Sequence, residues 1–277
     1  MLNQFTDPAE FLRRAGDFLE RHEAENNLLL GISSWLASHP DRIDQTPYFV
    51  TVEENGRIQA AAMMTPPHNL VLTESEPETI AAIVEHAFAN GLVLPGVNGP
   101  SKTSKTFALL WSKRTGHAFH LHRSLRIYEL TRVKLARPVN GKLRLASESD
   151  LEILVHWTRA FGVDIREQQS EEGLAKLVRG VIADQRLYVW EDGGLRSMAA
   201  WSAPTPNGVR INFVYTPPEF RGRGYAGTCV AALSQGLLDS GRKFCCLFTD
   251  LSNLISNRIY QRIGYRPVTD FTEYHFT

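Results

Sequence analysis

The run from Arg221 to Ala226 combines two arginines with two glycines at a spacing that suits phosphate binding. Gly222 and Gly224 have no Cβ, so their backbone can take left-handed torsions and approach an anion closely. Arg221 and Arg223 add fixed positive charge beside them. The run therefore predicts an anion-binding loop.

The flanking segments predict how this loop is positioned. The apolar stretch Ile211 to Tyr215 indicates a strand, and the pattern of Cys229 to Leu238 indicates a helix. A helix N-terminus has amide groups without intrahelical acceptors and carries partial positive charge, so a strand, glycine turn and helix together suit a pyrophosphate. The run fits neither a Walker motif nor a dinucleotide fingerprint, which need Gly-Lys-Ser/Thr or a third glycine with a later acidic residue.

The run resembles the R-x-x-G-x-A signature of the GCN5-related N-acetyltransferase (GNAT) superfamily. A later segment, Asn253 to Tyr265, resembles the second acetyl-CoA motif of that superfamily. In that motif an asparagine precedes a tyrosine, here Tyr260, by seven positions, and a glycine–aromatic pair follows. The resemblance implies an α/β fold with mixed, mostly antiparallel sheets flanked by helices, and acetyl-CoA as cosubstrate.

The resemblance also implies roles for individual residues. A splayed fourth strand would pair its backbone with the pantetheine arm, the glycine loop would bind the pyrophosphate, and an amide near Tyr215 would meet the oxyanion. Asn253 would hydrogen-bond the arm, and Asn257, one turn later, lies on the same helical face. The predicted cofactor-binding residues are Val214, Tyr215, Thr216, Arg221, Gly222, Arg223, Gly224, Tyr225, Ala226, Asn253 and Asn257.

Tyr260 is the predicted catalytic residue. A phenol with a pKa of about 10 is protonated at neutral pH and can donate to a departing thiolate, so the resemblance makes Tyr260 the general acid. The alternatives are that Tyr260 only packs its helix or positions the sulfur, and that Asn253 only caps the helix. No general base is marked by spacing. The positions weighed for that role are Glu219, His156, Asp164 and Glu167, together with a water chain.

An internal repeat predicts two domains. One constant spacing of 138 residues relates four residues of each half, and a polar, turn-rich segment lies between the halves. We therefore predict two tandem acyl-CoA N-acyltransferase-like domains, at residues 1–138 and 139–277. The repeated residues are Gly56, Ala61, Ala62 and Pro66, with Gly194, Ala199, Ala200 and Pro204.

The first copy is predicted to be degenerate. It passes through an acidic stretch, Glu74 to Glu78, where the second copy has its arginine–glycine loop, and Trp111 and Ser112 stand around the position of Tyr260. Acetyl-CoA is therefore expected in the C-terminal domain alone. The alternative is an unrelated α/β domain whose hairpin matches by chance.

Composition excludes several classes of protein. Thirty basic and thirty acidic residues cancel, so no global field recruits nucleic acid or an anionic membrane. The chain has no signal pattern and no stretch of about 18 apolar residues, and its three cysteines lack metal-ligand spacing, so a cytoplasmic location is expected. His120 and His122 share a strand face but lack a third ligand in spacing, so no metal is expected.

The sequence thus predicts direct transfer of an acetyl group from acetyl-CoA to a primary amine on a small molecule or peptide. One alternative keeps the architecture but changes the chemistry to acyl, aminoacyl or mycothiol-type transfer. Another is a non-catalytic acyl-CoA sensor, which keeps the loop and loses turnover. The chain is expected to be a monomer or a homodimer.

Overall fold

A computed structural model describes residues 1–40, 45–134, 139–165 and 170–277. Within these ranges the chain forms one mixed twelve-stranded sheet with helices on both faces. The strands are β1 (Leu2–Phe5), β2 (Tyr48–Glu54), β3 (Arg57–Met64), β4 (Leu70–Leu72), β5 (Gly96–Pro100), β6 (Phe119–Leu130), β7 (Lys142–Leu145), β8 (Leu187–Glu191), β9 (Leu195–Ser202), β10 (Gly208–Tyr215), β11 (Phe244–Asp250) and β12 (Arg266–Phe276). The helices are α1 (Pro8–Glu20), α2 (Asn27–Ser38), α3 (Pro77–Ala89), α4 (Ser101–Thr115), α5 (Leu151–Asp164), α6 (Glu171–Ala183), α7 (Tyr225–Asp239) and α8 (Leu254–Ile263).

The internal repeat appears directly in the elements. Each half runs strand, two helices, three strands, helix, strand, helix, strand, and β3 and β9 have bounds that differ by the same spacing as the repeated residues. Gly56 and Gly194 lie in the turns before these strands, with φ of 74° and 139°. Both turns need a positive φ, which explains why glycine recurs there.

The two halves exchange strands at the centre of the sheet. The strand order is β1-β2-β3-β4-β5-β12-β6-β11-β10-β9-β8-β7, so β12 lies between β5 and β6, and β6 lies between β12 and β11. Only the β4–β5 and β10–β11 pairs are parallel, and the other described pairs are antiparallel. This confirms the predicted fold class. The predicted boundary at 138 stays a prediction, because residues 135–138 lie outside the described ranges.

Alternate residues of each strand face opposite layers of helices. Phe49 packs with α1 and α2, whereas its neighbour Val50 packs with α3. In the second half, Ala200 packs with α5 and α6, whereas Ala199 packs with α7. Ile127 of β6 lies in the α1–α2 layer and its neighbour Tyr128 in the α7–α8 layer. Helices α1, α2, α5 and α6 therefore share one face, and the other four share the opposite face.

Glu23 joins the halves through the loop that follows α1. Its buried carboxylate accepts hydrogen bonds from the Asn207 amide at 2.7 Å, the Gly208 amide at 3.0 Å and the Thr205 hydroxyl. Burial pushes the pKa of Glu23 upward, but these hydrogen bonds outweigh it and hold the pKa below its usual value. The N-terminal half thereby fixes the turn from which β10 begins.

The cysteines act as core residues. Cys229, Cys245 and Cys246 are free and buried, and burial raises the pKa of each thiol to about 12. The adjacent pair faces opposite sides of β11, since Cys245 packs with α7 and Cys246 beside Ala24. Among the described helices, none combines the length and apolar character needed to cross a bilayer.

Asp150 makes a testable contribution to stability at the start of α5. It is 7% exposed, accepts two hydrogen bonds from the Arg144 guanidinium at 2.7 and 2.9 Å, and accepts a third from the Ser147 amide. These partners lower the pKa of Asp150 to about 2. A lowered pKa means that the stabilisation is present above the unfolded pKa and is lost as pH falls through the folded one.

We therefore expect Asp150→Asn to lower the free energy of unfolding by about 2 kcal/mol at pH 7, and by progressively less as the pH falls from 4 toward 2. Urea unfolding at several pH values measures this. Asp184→Asn is the control, because that carboxylate pairs with Arg186 at the surface and is 59% exposed. A loss for Asp150→Asn that is equal at pH 7 and pH 2 would contradict the assignment.

Candidate active site

A β-bulge bends β10 at the centre of the site. The strand pairs with β9 in register up to Asn212, opposite Ala200, and then shifts so that Tyr215 lies opposite Met198. Within the bulge, Phe213 takes a φ of +48°, an uncommon conformation for a residue with a side chain. The bulge turns the following residues away from the regular ladder.

Beyond the bulge, β10 and β11 separate. They pair in parallel only from Gly208 to Arg210 against Phe244 to Cys246. β11 continues to Asp250 while it pairs with β6, so the described part of β10 after Arg210 has no β11 partner. This is the splayed strand that the family resemblance implies. The backbone groups of that part which face β11 lack a strand partner, and they suit an extended amide-containing chain in the position of an added strand.

The glycine loop has the predicted conformation. After a short 3-10 turn at Pro218–Phe220, Gly222 and Gly224 have φ of 78° and 90°. Gly224 is the N-cap of α7 and offers no side-chain cap, and the first helical hydrogen bond is from the Thr228 amide to the Gly224 carbonyl at 3.0 Å. The amides of residues 225–227 precede that bond and have no acceptor within the helix, which is the donor set that a pyrophosphate needs.

Arg221 is held at the loop by two partners. Its Nε donates to the Thr216 carbonyl at 2.9 Å, and its guanidinium pairs with Asp164 at 2.8 Å. The side chain nevertheless remains 48% exposed. The geometry places Arg221 at the junction of the β10 end, the loop and the end of α5.

A third arginine, Arg196, lies beside the loop, and it was not predicted from the sequence. The Arg196 guanidinium lies 4.5 Å from the centroid of the Phe220 ring, and Arg223 lies 6.0 Å from the same ring. Both distances fit cation–π contact. Arg196 comes from β9, outside both family motifs, and its only sequence signal is its position just after the Gly193–Gly194 turn.

The Tyr225 side chain makes a hydrogen bond within the protein. Its hydroxyl donates to Asp192 Oδ2 at 2.7 Å, which fixes the start of α7 to the β8–β9 turn. The predicted cofactor role of Tyr225, like that of Ala226, therefore rests on the backbone amide at the helix start.

Tyr260 is buried in the same cluster as Val214 and Tyr225. It is 8% exposed and packs edge to face against Tyr265, with ring centroids 5.9 Å apart. Burial raises the pKa of Tyr260 well above its usual value. Among the described residues the hydroxyl shows no hydrogen bond, and desolvation alone accounts for its raised pKa.

The two asparagines make structural contacts. Asn253 is exposed and caps α8, since its side chain accepts from the Ser256 amide at 3.0 Å. Asn257 donates to the Asp250 and Asn253 carbonyls, both at 2.8 Å, and accepts from the Tyr128 hydroxyl at 3.0 Å. The structure thus gives Asn253 its alternative capping role and uses Asn257 to join α8, β11 and β6. Their contact with a cofactor stays a prediction.

Asn212 presents a buried acceptor beside the bulge. Its amide nitrogen donates to the Ser202 hydroxyl at 2.8 Å, but its Oδ1 is buried without a hydrogen-bond partner. An unsatisfied buried carbonyl costs about 1–3 kcal/mol, so this atom is suited to accept a hydrogen bond from a water or an N–H group brought by a ligand. The sequence marks Asn212 only by its place in the strand predicted from Ile211 to Tyr215.

None of the described candidate bases is marked by its surroundings as a general base. Glu219 and His156 are exposed, and Asp164 pairs with Arg221. Glu167 lies outside the described residues. No general base is therefore assigned.

The equivalent region of the first half differs at these positions. Both α4 and α8 end at a glycine with a positive φ, Gly116 and Gly264, and the amide of each donates to the residue four positions earlier. That residue is Tyr260 in the second half and Ser112 in the first. The loop before α3 carries Glu74 and Glu76 in place of arginines, so it repels phosphate.

The C-terminal half of the chain matches a known protein family. A family model described as FR47-like protein matches residues 190–275. A comparison with curated proteins gives no match.

Several solved structures share the fold over nearly the whole chain. A GCN5-related N-acetyltransferase from Sphaerobacter thermophilus has 16% identity and a TM-score of 0.65, over 99% of this chain and 94% of that chain. A Drosophila protein has 14% identity and a TM-score of 0.70, over 100% and 98%. A tandem GNAT protein from the clavulanic acid biosynthesis pathway has 11% identity and a TM-score of 0.57, over 100% and 98%.

The FR47-like match covers both motifs, and the solved structures show the fold. The chain has the tandem form of the GNAT superfamily fold, with the FR47-like segment in its C-terminal half.

Proposed function

We propose that this protein is an N-acetyltransferase that moves an acetyl group from acetyl-CoA to a primary amine. The observation that carries the proposal is the course of β10, which bulges, separates from β11 and leads directly into the glycine loop at the start of α7. One continuous segment thus offers free strand groups and then free helix amides, in the order in which a pantetheine arm and a pyrophosphate would meet them.

Acetyl-CoA would supply the activated thioester, and the chain's own residues would orient it, hold its phosphates and donate a proton. Backbone groups of Val214 to Thr216 would orient the arm, with an amide near Tyr215 directed at the carbonyl oxygen as negative charge develops there. The loop amides, Arg221 and Arg223 would hold the phosphates. Tyr260 would donate its hydroxyl proton to the departing thiolate, since burial keeps that proton in place at neutral pH.

The acceptor would be a small-molecule or peptide amine that approaches from the end of α5. That end lies beside the splayed strand, because Phe161 of α5 packs against Phe213 of the bulge with ring centroids 5.9 Å apart. We place the reaction in the cytoplasm, with the chain as a monomer or a homodimer.

Release of free thiol from acetyl-CoA tests this proposal, measured across polyamines, amino acids, aminoglycosides and peptides. Turnover on one amine class would support the transferase and identify its acceptor. Binding of acetyl-CoA without turnover on any amine would favour the acyl-CoA sensor, which the pairing of Asp164 with Arg221 also favours because it leaves that candidate base engaged. Turnover only with longer acyl or aminoacyl donors would favour the related transferases.

A further inference from the structure

Three histidines lie together where the exchanged strands β6 and β12 pair. His120 and His122 lie on β6, and His275 lies on β12 directly opposite His120. One ligand nitrogen from each lies within 4.8 Å of the other two. We propose that His120, His122 and His275 bind one divalent transition metal ion of the zinc class.

A β-bulge brings the three rings to one side of the sheet. Glu273 pairs with Arg123 and Tyr274 with Leu121, so His122 has no residue opposite it on β12. The His122 ring stacks on the His275 ring, with centroids 4.0 Å apart and planes 13° apart. The His120 ring approaches the same histidine edge-on at 5.9 Å. His275 is therefore the common neighbour of the other two.

The surroundings of His275 fit those of a metal ligand. Its Nε2 lies 2.8 Å from Glu273 Oε1, and because a carboxylate can only accept, Nε2 carries the proton and Nδ1 keeps its lone pair. Glu273 is 5% exposed and is itself fixed by the Arg123 Nε at 2.8 Å and the Asn69 amide at 2.8 Å. A carboxylate that orients a histidine in this way is the common second partner of metal-binding imidazoles.

The ligand set indicates the class of ion. Neutral imidazoles suit zinc, nickel, copper and cobalt, whereas magnesium and calcium prefer oxygen. Zn–N bonds of about 2.0–2.1 Å require ligand nitrogens about 3.4 Å apart, so the three rings must close in slightly by side-chain rotation. His120 is exposed, so an ion can enter from solvent and keep water as its fourth ligand.

The bound ion would join the two halves of the chain. β6 ends the first half and β12 ends the second, so one metal would link the two exchanged strands. The sequence expectation of no metal rested on finding only two histidines in spacing. The third is supplied by strand pairing from the far end of the chain.

Zinc binding to the untagged, chelator-treated full-length protein tests this site. We expect calorimetry with Zn²⁺ to give one equivalent per chain, and Zn²⁺ to raise the melting temperature. Loss of a carboxylate that only orients a metal ligand costs about 10- to 100-fold in metal affinity. Loss of a ligand itself should cost at least as much, so His120→Ala and His275→Gln should each weaken Zn²⁺ binding by about 100-fold or more. His117→Ala is the matched control, because His117 is exposed on the same segment, outside the cluster, and should bind like the wild type.

Co²⁺ gives an independent readout, since tetrahedral nitrogen ligation produces visible absorption bands that His120→Ala should abolish. His120 is exposed, so its substitution leaves folding intact even where His275→Gln does not. Absence of Zn²⁺ binding by the wild type, or equal binding by His120→Ala and His117→Ala, would overturn the site. The measurements need no acetyl-CoA and are independent of the proposed transferase activity.

Discussion

Replacement of Tyr260 by phenylalanine is expected to lower the turnover number by about 100- to 10,000-fold, the range that general acid catalysis contributes. The substitution removes only the hydroxyl, which shows no hydrogen bond among the described residues. The ring and its packing against Tyr265 are kept. Acetyl-CoA affinity should therefore change little. Steady-state kinetics of thiol release, beside calorimetric titration of acetyl-CoA, measures both quantities.

Tyr265→Phe is the matched control for this prediction. Tyr265 lies in the same cluster, but its hydroxyl is bonded to the Ser234 hydroxyl at 2.8 Å. Its loss should lower the free energy of unfolding by about 1 kcal/mol and leave turnover unchanged. Equal turnover in Tyr260→Phe and the wild type would exclude Tyr260 as the acid, whereas no turnover in either protein would support a sensor.

Substitution of Gly222 by alanine is expected to weaken acetyl-CoA binding by about 5- to 30-fold. At φ of 78° a Cβ costs about 1–2 kcal/mol, so the free loop of the variant should relax and binding must restore its conformation at that cost, where 1.4 kcal/mol corresponds to a tenfold change in affinity. The new methyl group would meet no protein atom within 4 Å, so it would project into the space beside the loop, where phosphate oxygens must approach. Calorimetric titration with acetyl-CoA gives the dissociation constant directly.

Gly236→Ala controls for the general effect of adding a methyl group. Gly236 lies within α7, also has no atom within 4 Å of an added Cβ, and has an ordinary helical backbone. We expect this variant to be more stable by up to about 1 kcal/mol and to bind acetyl-CoA like the wild type. The same loss of affinity in both variants would show that the loop conformation is not what the ligand requires.

Features carried by local spacing were predictable from the sequence. The glycine torsions at 222 and 224 follow from residue type and from the elements on either side. The repeat was visible because Gly56 and Gly194 occupy turns that need a positive φ and precede strands of the same length. Such features depend on a few neighbouring residues, so one chain is enough to reveal them.

Features that depend on pairing between distant strands were not predictable. Nothing in the pattern of Arg266 to Phe276 says that this strand lies between β5 and β6 rather than beside its own half. The same exchange brings His275 to His120, and the pairing of β9 with β10 brings Arg196 to Phe220. Strand register across the sheet decides these contacts, and a one-dimensional pattern does not specify it.

We propose that acetyl-CoA binds only at the splayed strand and glycine loop of the second half. Isothermal titration of the whole chain with acetyl-CoA measures the number of such sites. We predict saturable binding with one equivalent per chain, because the first half has acidic residues at its loop and Ser112 at the tyrosine position. Two equivalents per chain would contradict the loss of the first site, and no binding would contradict the assignment of the second.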